Sequence, residues 1–384
     1  MTRKTRIAIA CQGGGAQTAF TAGALKVLLE EGVHEEFDIV SLSGTSGGAM
    51  CAALVWYALR KGDKQPWKRL SAFWEENTAH TPQEKAFNRY LVETLRMTNR
   101  GLMPQVQRSP SSPLVAAFMK SWQHGMRPRF TDMEGLLREH IDFAELERWG
   151  PTAKAPVLII GAIDILSGRL ASFSSANEAI VVEHIMASST VPMLFPAVEI
   201  GAGAYWDGVF SDNPPVNELV QPVHVGPGNL PDEIWVVKIN PTRATKIPQN
   251  PEEIIDRRNQ LTGNISLFHQ LDTIAWLNDL SLKGAIDKTF MAKNNIPAWV
   301  RIPKSYDDDP DRPYHIPCIE MSPELRSTLG IESKLDRSEE NLVPLIADGE
   351  RQARVFLAER AKLSRKPRPS SAAARSKTSR RPSR

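Results

Sequence analysis

Residues 37–59 read FDIVSLSGTSGGAMCAALVWYAL and predict a strand, a sharp turn and a helix in immediate succession. Phe37–Ser43 is the predicted strand, and Ala49–Leu59 is almost entirely apolar, as a buried helix would be. Between them lies the one G-x-S-x-G sequence of the chain. A serine on such a turn is presented for attack on a substrate. The context therefore predicts Ser46 as a nucleophile, and the alternative is a structural turn without chemistry.

Three glycines, Gly44, Gly47 and Gly48, surround the predicted nucleophile. A tight turn crowds the chain here, so we expect only small residues to fit. Gly47 opens the predicted helix, whose free amides and positive dipole end point towards an attacked carbonyl. Its N–H is therefore a predicted donor to the oxyanion formed there.

A second glycine turn comes earlier, where Gly13-Gly14-Gly15 follows the predicted strand Arg6–Cys11. Apolar residues at helical spacing then run over Thr18–Glu31. Consecutive glycine amides let the backbone approach a substrate closely. We therefore expect Gly13, Gly14 and Gly15 to complete an oxyanion hole.

The alternative interpretation of this turn is a dinucleotide site of the G-x-G-x-x-G type. Gly13 and Gly15 fit that pattern, but Thr18 stands at its sixth position. The expected acidic residue would have to be Asp38, which begins the next strand instead of ending one. The nucleotide interpretation is therefore the weaker of the two.

Buried strands alternate with helical segments along the rest of the chain. Val157–Leu166 and Ile234–Ile239 are continuous apolar runs, typical of strands covered on both faces. Residues 61–150 and the segment after Pro241 are mainly helical in pattern. This alternation predicts an α/β fold with a mostly parallel sheet.

A serine hydroxyl is a weak nucleophile without a neighbouring base, and histidine is the usual partner. None of the eight histidines stands in a glycine-flanked turn at a predicted strand end; they are His34, His80, His124, His140, His184, His224, His269 and His315. Asp207, in contrast, ends an apolar segment and precedes Gly208. Asp-Gly is also a common hairpin turn, but this placement favours Asp207 as the base.

The cysteine content and the N-terminal sequence narrow the class of protein. Cys11, Cys51 and Cys318 cannot all pair, and two lie in apolar runs, which indicates reduced thiols. No Cys or His spacing is typical of a metal site. Ile7–Cys11 is too short for a signal-peptide core or a membrane span. We expect a cytoplasmic protein that uses no metal and no cofactor.

Residues 364–384 form a basic tail. They hold eight Lys or Arg and no acid, so the whole-chain formal charge of +3 leaves −5 for residues 1–363. A tail without large apolar residues cannot build a core and is predicted to be disordered. Its charge suggests peripheral contact with anionic lipid on the inner membrane surface. A tail without a binding role is an equally open interpretation, and nucleic acid is the less favoured partner.

Together the motifs resemble those of the patatin-like phospholipases. Four blocks occur in that family's order: Gly13–Phe20, Gly44–Gly48, Ala187–Pro196, and Asp207-Gly208 followed by Asn213-Pro214. They resemble its glycine-rich oxyanion segment, its nucleophile turn, the loop before its acid, and the acid motif. The motif core spans residues 7–220.

The resemblance implies a three-layer α/β sandwich like that of the patatins and cytosolic phospholipases, and a Ser46–Asp207 dyad that works without metal. It implies hydrolysis of acyl esters in phospholipids, lysophospholipids or related lipids. We place a catalytic domain at 1–240 and a mainly helical C-terminal extension, packed on it, at 241–363. An acyltransferase with the same acyl-enzyme and a lipid-binding pseudoenzyme are the alternatives.

The chain departs from the family pattern at three positions. Gln17 stands where the family usually has Arg or Lys, Thr18 where it has Gly, and Val209 where it has Gly or Ala. Gln17 can donate a hydrogen bond but brings no positive charge, which weakens any inference about an anionic headgroup. Thr18 is suited to cap the following helix.

Overall fold

A computed structural model of the protein describes residues 3–104, 112–192, 194–244, 246–282, 284–293 and 318–364. The predicted basic tail lies outside these residues from position 365 onward. Eight strands occur in the described part: β1 Arg6–Cys11, β2 Asp38–Thr45, β3 Val157–Asp164, β4 Arg169–Ser174, β5 Val198–Ile200, β6 Gly203–Asp207, β7 Glu233–Lys238 and β8 Cys318–Glu320.

The strands form one mostly parallel sheet, as the sequence predicts. Its order is β5-β6-β3-β2-β1-β7-β8, and β4 also pairs with β3. Five neighbouring strands run parallel to one another, in the order β3, β2, β1, β7 and β8. The antiparallel strands β4, β5 and β6 lie together around β3. The carboxyl ends of all five parallel strands therefore lie on the same side of the sheet.

Fifteen helices accompany the strands in the described residues. They are α1 Ala19–Glu30, α2 Val33–Glu36, α3 Gly47–Lys61, α4 Lys68–Asn77, α5 Pro82–Asn99, α6 Pro113–Trp122, α7 Pro128–Thr131, α8 Met133–His140, α9 Phe143–Trp149, α10 Val182–Ser189, α11 Pro222–Val225, α12 Pro251–Leu282, α13 Lys288–Lys293, α14 Pro323–Arg326 and α15 Glu339–Ser364. Among the helices described, none is both long enough and apolar enough to cross a bilayer.

Helices cover both faces of the sheet. Successive side chains of a strand point to opposite faces, and β1 shows this directly. Ile7 and Ile9 join a core that includes side chains of α1, α3 and α15, whereas Ala8 and Ala10 join a second core with side chains of α12. The result is a three-layer α/β sandwich, as expected.

The C-terminal part of the chain returns to the N-terminal part. The expectation of a mainly helical segment after Pro241 is incomplete, because β8 adds a parallel edge strand beside β7. At the other end of this segment, α15 packs closely on α1. A Cβ atom at Gly349 would lie 2.0 Å from the Phe20 carbonyl oxygen, and one at Gly23 would lie 2.0 Å from that of Ile346. Only glycine permits this approach of the two helices.

We expect Gly349→Ala to lower the free energy of unfolding by at least about 2 kcal/mol, because the added methyl group must force the two helix backbones apart. Urea-induced unfolding measures the change. Gly228→Ala is the matched control, since a Cβ there meets no atom within 4 Å. Equal stability of the two variants would show that α1 and α15 separate without cost.

Candidate active site

The predicted nucleophile lies on a strained turn. β2 ends at Thr45, α3 begins at Gly47, and Ser46 between them has φ 56° and ψ −132°. Among the described residues it is the only one other than glycine with a positive φ. Such a conformation costs on the order of 1–3 kcal/mol and persists only where the surroundings enforce it. Ser46 is only 7% exposed.

Close packing around Ser46 leaves no room for side chains at the neighbouring glycines. A Cβ at Gly48 would lie 2.3 Å from the carbonyl oxygen of Cys11, in the neighbouring strand β1. A Cβ at Gly47 would lie 2.1 Å from the Thr18 hydroxyl oxygen. Both distances are too short for any side chain, so the turn requires glycine at these positions. The Gly47 N–H has no acceptor within its own helix, since it belongs to the first turn.

Strand β6 brings Asp207 to the serine turn. β4 occupies one edge of β3 along residues 159–164, so β2 and β6 share the other edge. On that edge Thr45 is opposite Gly161, and Asp207 is opposite the next residue, Ala162. β2 and β6 therefore meet end to end, and the residue after Thr45 lies beside Asp207.

Asp207 is held firmly and is almost fully buried, at 1% exposure. Its N–H donates to the Thr190 carbonyl oxygen at 2.9 Å, and its Oδ1 accepts from the Val209 N–H at 2.8 Å. Burial raises the pKa of Asp207 to about 6, while the bond from Val209 and a side-chain hydrogen bond with Ser46 oppose the rise. The carboxylate is thus a stronger base than an ordinary aspartate.

Ser188 supports the serine turn from α10. Its Oγ accepts from the Ser46 N–H at 2.9 Å and donates to the Gly161 carbonyl oxygen at 2.6 Å. This explains why the segment before the acid belongs with the other motifs: Ser188 holds the nucleophile turn and Thr190 holds the acid. The sequence identified the segment but not these two roles.

The first glycine turn differs in part from the expectation. Gly14 packs on Ile239, and Gly15 has φ +56° and lies against the Lys334 carbonyl oxygen. The Gly13 N–H, however, donates to Asn213 Oδ1 at 2.6 Å and is therefore not a free donor. Thr18 also differs, because its hydroxyl donates to the Gly15 carbonyl oxygen instead of capping α1.

Gln12 is a residue of the site that no sequence motif pointed to. Its Oε1 accepts from the backbone N–H groups of Ile239 and Asn240, both at 2.8 Å. Its Nε2 donates to the Gly263 carbonyl oxygen and to Asn264 Oδ1. A buried glutamine with both ends satisfied joins the glycine turn to the end of β7 and to α12. A lone glutamine in the sequence gives no signal of this role.

The C-terminal part supplies a second residue that the sequence did not indicate, Lys334. It lies in the 3-10 turn Ile331–Lys334, and its Nζ donates to Asn240 Oδ1 at 3.0 Å. Burial lowers the pKa of Lys334 to about 8, partly opposed by the negative charges of Asp256 and Asp207. The neighbouring Ser333 hydroxyl accepts from Gln17 Nε2 at 2.7 Å. A cation therefore stands near Asp207 although Gln17 brings none.

The described histidines form no hydrogen bond with Ser46 or Asp207. His184 illustrates a structural role: its ring stacks on Phe173 with centroids 4.2 Å apart, and its Nδ1 accepts from the Val181 N–H. Burial lowers the pKa of His184 to about 4. His315 lies outside the described residues. Groups of three or more possible metal ligands are likewise absent from the described part of the chain.

Comparison with known proteins identifies one family and several distantly similar solved structures. A family model described as patatin-like phospholipase matches residues 9–220, just over half of the chain. The chain is similar to VipD from Legionella pneumophila, with 14% identity, a TM-score of 0.40, and coverage of 93% of this chain and 67% of that one. It is also similar to the ExoU–SpcU complex of the Pseudomonas aeruginosa type III secretion system, with 17% identity, a TM-score of 0.27, and coverage of 76% and 57%. No curated protein sequence matches the chain.

We expect Asp207→Asn to raise the free energy of unfolding at pH 8 by up to about 3 kcal/mol. The reason is that the ionised carboxylate is less stable buried in the folded protein than exposed to water in the unfolded chain. The asparagine can keep the bond from the Val209 N–H. The folded carboxyl titrates near 6 and the unfolded one near 4, so the stability difference should shrink as the pH falls from 6 to 4. Thermal unfolding at a series of pH values measures it. A difference independent of pH would contradict the raised pKa.

Proposed function

The chain belongs to the patatin-like phospholipase family, and we propose that it hydrolyses acyl esters of lipids with Ser46 as nucleophile and Asp207 as general base. The observation that carries this proposal is the end-to-end arrangement of β2 and β6 on one edge of β3. It sets a strained serine beside a buried carboxylate.

In the proposed first step, the Ser46 oxygen attacks the ester carbonyl carbon while Asp207 accepts the hydroxyl proton. The tetrahedral intermediate collapses, Asp207 returns the proton to the leaving alcohol, and an acyl-serine remains. In the second step Asp207 deprotonates a water molecule that attacks this ester. The fatty acid leaves, and the proton returns to Ser46.

We assign the oxyanion to the N–H groups of Gly14, Gly15 and Gly47. Gly13 fits this role less well, because its N–H would first have to leave Asn213 Oδ1. We assign Gly13 instead to the support of Asn213, which lies five residues after Gly208 in the acid motif. Donors fixed by packing are already oriented when charge develops on the substrate, which is what makes them effective.

Lys334 is proposed to regulate the basicity of Asp207. Burial alone pushes the carboxyl pKa upward, and the Lys334 charge lowers it again. We therefore treat 241–363 as part of the catalytic unit, together with 1–240. The contact between Gln17 and Ser333 supports this view, since it joins the glycine segment to the turn that carries Lys334.

We expect Ser46→Ala to lower kcat for short-chain nitrophenyl esters by about a thousandfold or more, because the nucleophilic oxygen is gone. A fluorophosphonate should label Ser46 in the unaltered protein and leave the variant unlabelled. Ser189→Ala is the control: its hydroxyl bonds only the Ile185 carbonyl oxygen among described partners. Full turnover by a folded Ser46→Ala protein would overturn the mechanism. If glycerol diverts the acyl group into a new ester, the acyltransferase alternative gains.

We expect the rate of the unaltered protein to rise as pH rises through about 6, since Asp207 must be ionised to accept a proton. Lys334→Met removes the nearby positive charge, so the pKa of Asp207 should rise and the acid limb of the curve of kcat against pH should move to higher pH. Lys334→Arg keeps the charge and should keep the limb near its original position. The measurement is kcat against pH. If the acid limb of Lys334→Met lies at the same pH as that of the unaltered protein, Lys334 does not control the pKa of Asp207.

A further inference from the structure

Helix α6 exposes an unusual amount of apolar surface. It buries none of its ten residues, although Leu114 to Met119 are six apolar residues in a row. Leu114 is 66% exposed, and Leu102 on the preceding segment is 73% exposed. Exposed apolar side chains gathered in one place mark an interaction surface more often than scattered ones do.

Aromatic contacts attach α6 to α5. The Trp122 ring lies 5.5 Å from that of Phe87 and 5.7 Å from that of Tyr90, and the Phe118 ring lies 5.6 Å from Tyr90. Positions later in α6 thus contact positions earlier in α5, so the two helices run antiparallel. Leu114 consequently lies towards the C-terminal end of α5. We call the resulting surface the α5–α6 face, formed by the exposed side chains of Tyr90, Met97, Leu102, Met103, Leu114 and Phe118.

Five of the six side chains of the α5–α6 face belong to a stretch of sequence that contains no acid. The sixth, Tyr90, precedes Glu93, whose side chain is 44% exposed and pairs with Arg96 at 2.6 Å. From Thr94 to Thr131 there is no Asp or Glu, whereas 44 acids in 384 residues would place about four in a stretch of this length. The same stretch holds six basic residues, Arg96, Arg100, Arg108, Lys120, Arg127 and Arg129. Four of these pair with acids outside the stretch. Lys120, in α6 itself, forms no ion pair within the described residues.

Helix α5, which carries part of the α5–α6 face, is linked to the active site. Arg96 of α5 pairs with Glu332 at 3.2 Å, in the same 3-10 turn as Lys334. Arg100 pairs with Glu252 in the first turn of α12 at 2.9 Å. The Lys334 carbonyl oxygen in turn lies against Gly15. Helix α5 is therefore joined to the glycine turn through the turn Ile331–Lys334.

We infer that the α5–α6 face docks on an anionic lipid bilayer and so brings the active site to its substrate. The inference rests on the proposed function for its purpose but not for its physical basis. An amphipathic helix with a row of large apolar side chains inserts these between lipid headgroups, and basic residues nearby favour anionic lipid. The exclusion of acids over 38 residues fits a negatively charged surface.

The test compares two double variants of the full-length protein. Leu102→Asp with Leu114→Asp alters the α5–α6 face at two exposed positions that make no ring contact. Val223→Asp with Val355→Asp is the control, since these valines are 66% and 50% exposed and the change in net charge is the same. Val223 lies at the far edge of the sheet, because the neighbouring His224 carbonyl oxygen accepts from Ser174 at the end of β4. The basic tail is present in both proteins, so its contribution cancels.

Sedimentation with vesicles of phosphatidylcholine and phosphatidylglycerol in equal parts measures docking. We expect the Leu102→Asp/Leu114→Asp protein to bind at least about tenfold more weakly than the control pair, because two large apolar side chains no longer enter the lipid. Unaltered protein should bind these vesicles more tightly than vesicles of phosphatidylcholine alone. Equal binding by the two double variants would overturn the proposal, as would equal binding of the unaltered protein to both lipids.

Two further measurements distinguish lipid docking from catalysis and from self-association. Hydrolysis of a soluble short-chain ester should be the same in both double variants, and vesicle binding should persist in Ser46→Ala, so a failed mechanism leaves the docking result intact. Light scattering without lipid tests a second copy of the chain as the occupant. A dimer that Leu102→Asp/Leu114→Asp dissociates would overturn the lipid assignment.

Discussion

One edge of β3 holds two strands end to end, and the proposed chemistry depends on this shared edge. β2 occupies it as far as Gly161, and β6 continues it from Ala162. The last residue of β6 is therefore next to the first residue beyond β2. The chain is also closely packed at this junction. A Cβ at Gly208 would lie 2.4 Å from the Gly161 carbonyl oxygen, so a side chain does not fit there. Ser188 completes it by donating to that oxygen while it accepts from Ser46.

The strand and turn elements of this site could be predicted from the sequence because their signals are local. The strand, the glycine turn and the helix around Ser46 occupy 23 consecutive residues, and Asp207 stands before a glycine at a strand end. Burial of strands on both faces gives continuous apolar runs, which also indicated the parallel sheet. These parts of the fold needed no knowledge of distant contacts.

The supporting residues could not be predicted, because each acts across a long stretch of chain. Gly13 and Asn213 are joined over 200 residues, and Gln17 and Ser333 over 316. Such bonds follow no periodicity, and glutamine and asparagine carry no signal of their own role. β8 was missed because a strand of three residues is too short for a pattern.

The pKa of the proposed base reflects two opposing effects of position. An aspartate near its ordinary pKa of about 4 would accept a proton from serine poorly. Burial raises the pKa, because the charged carboxylate is less stable away from water. The bond from Val209, the hydroxyl of Ser46 and the charge of Lys334 all lower it, and the result is about 6. A carboxylate with this pKa is ionised at neutral pH and is about two units more basic than in water. The C-terminal turn that carries Lys334 thereby supplies a charge that the glycine segment, with Gln17, lacks.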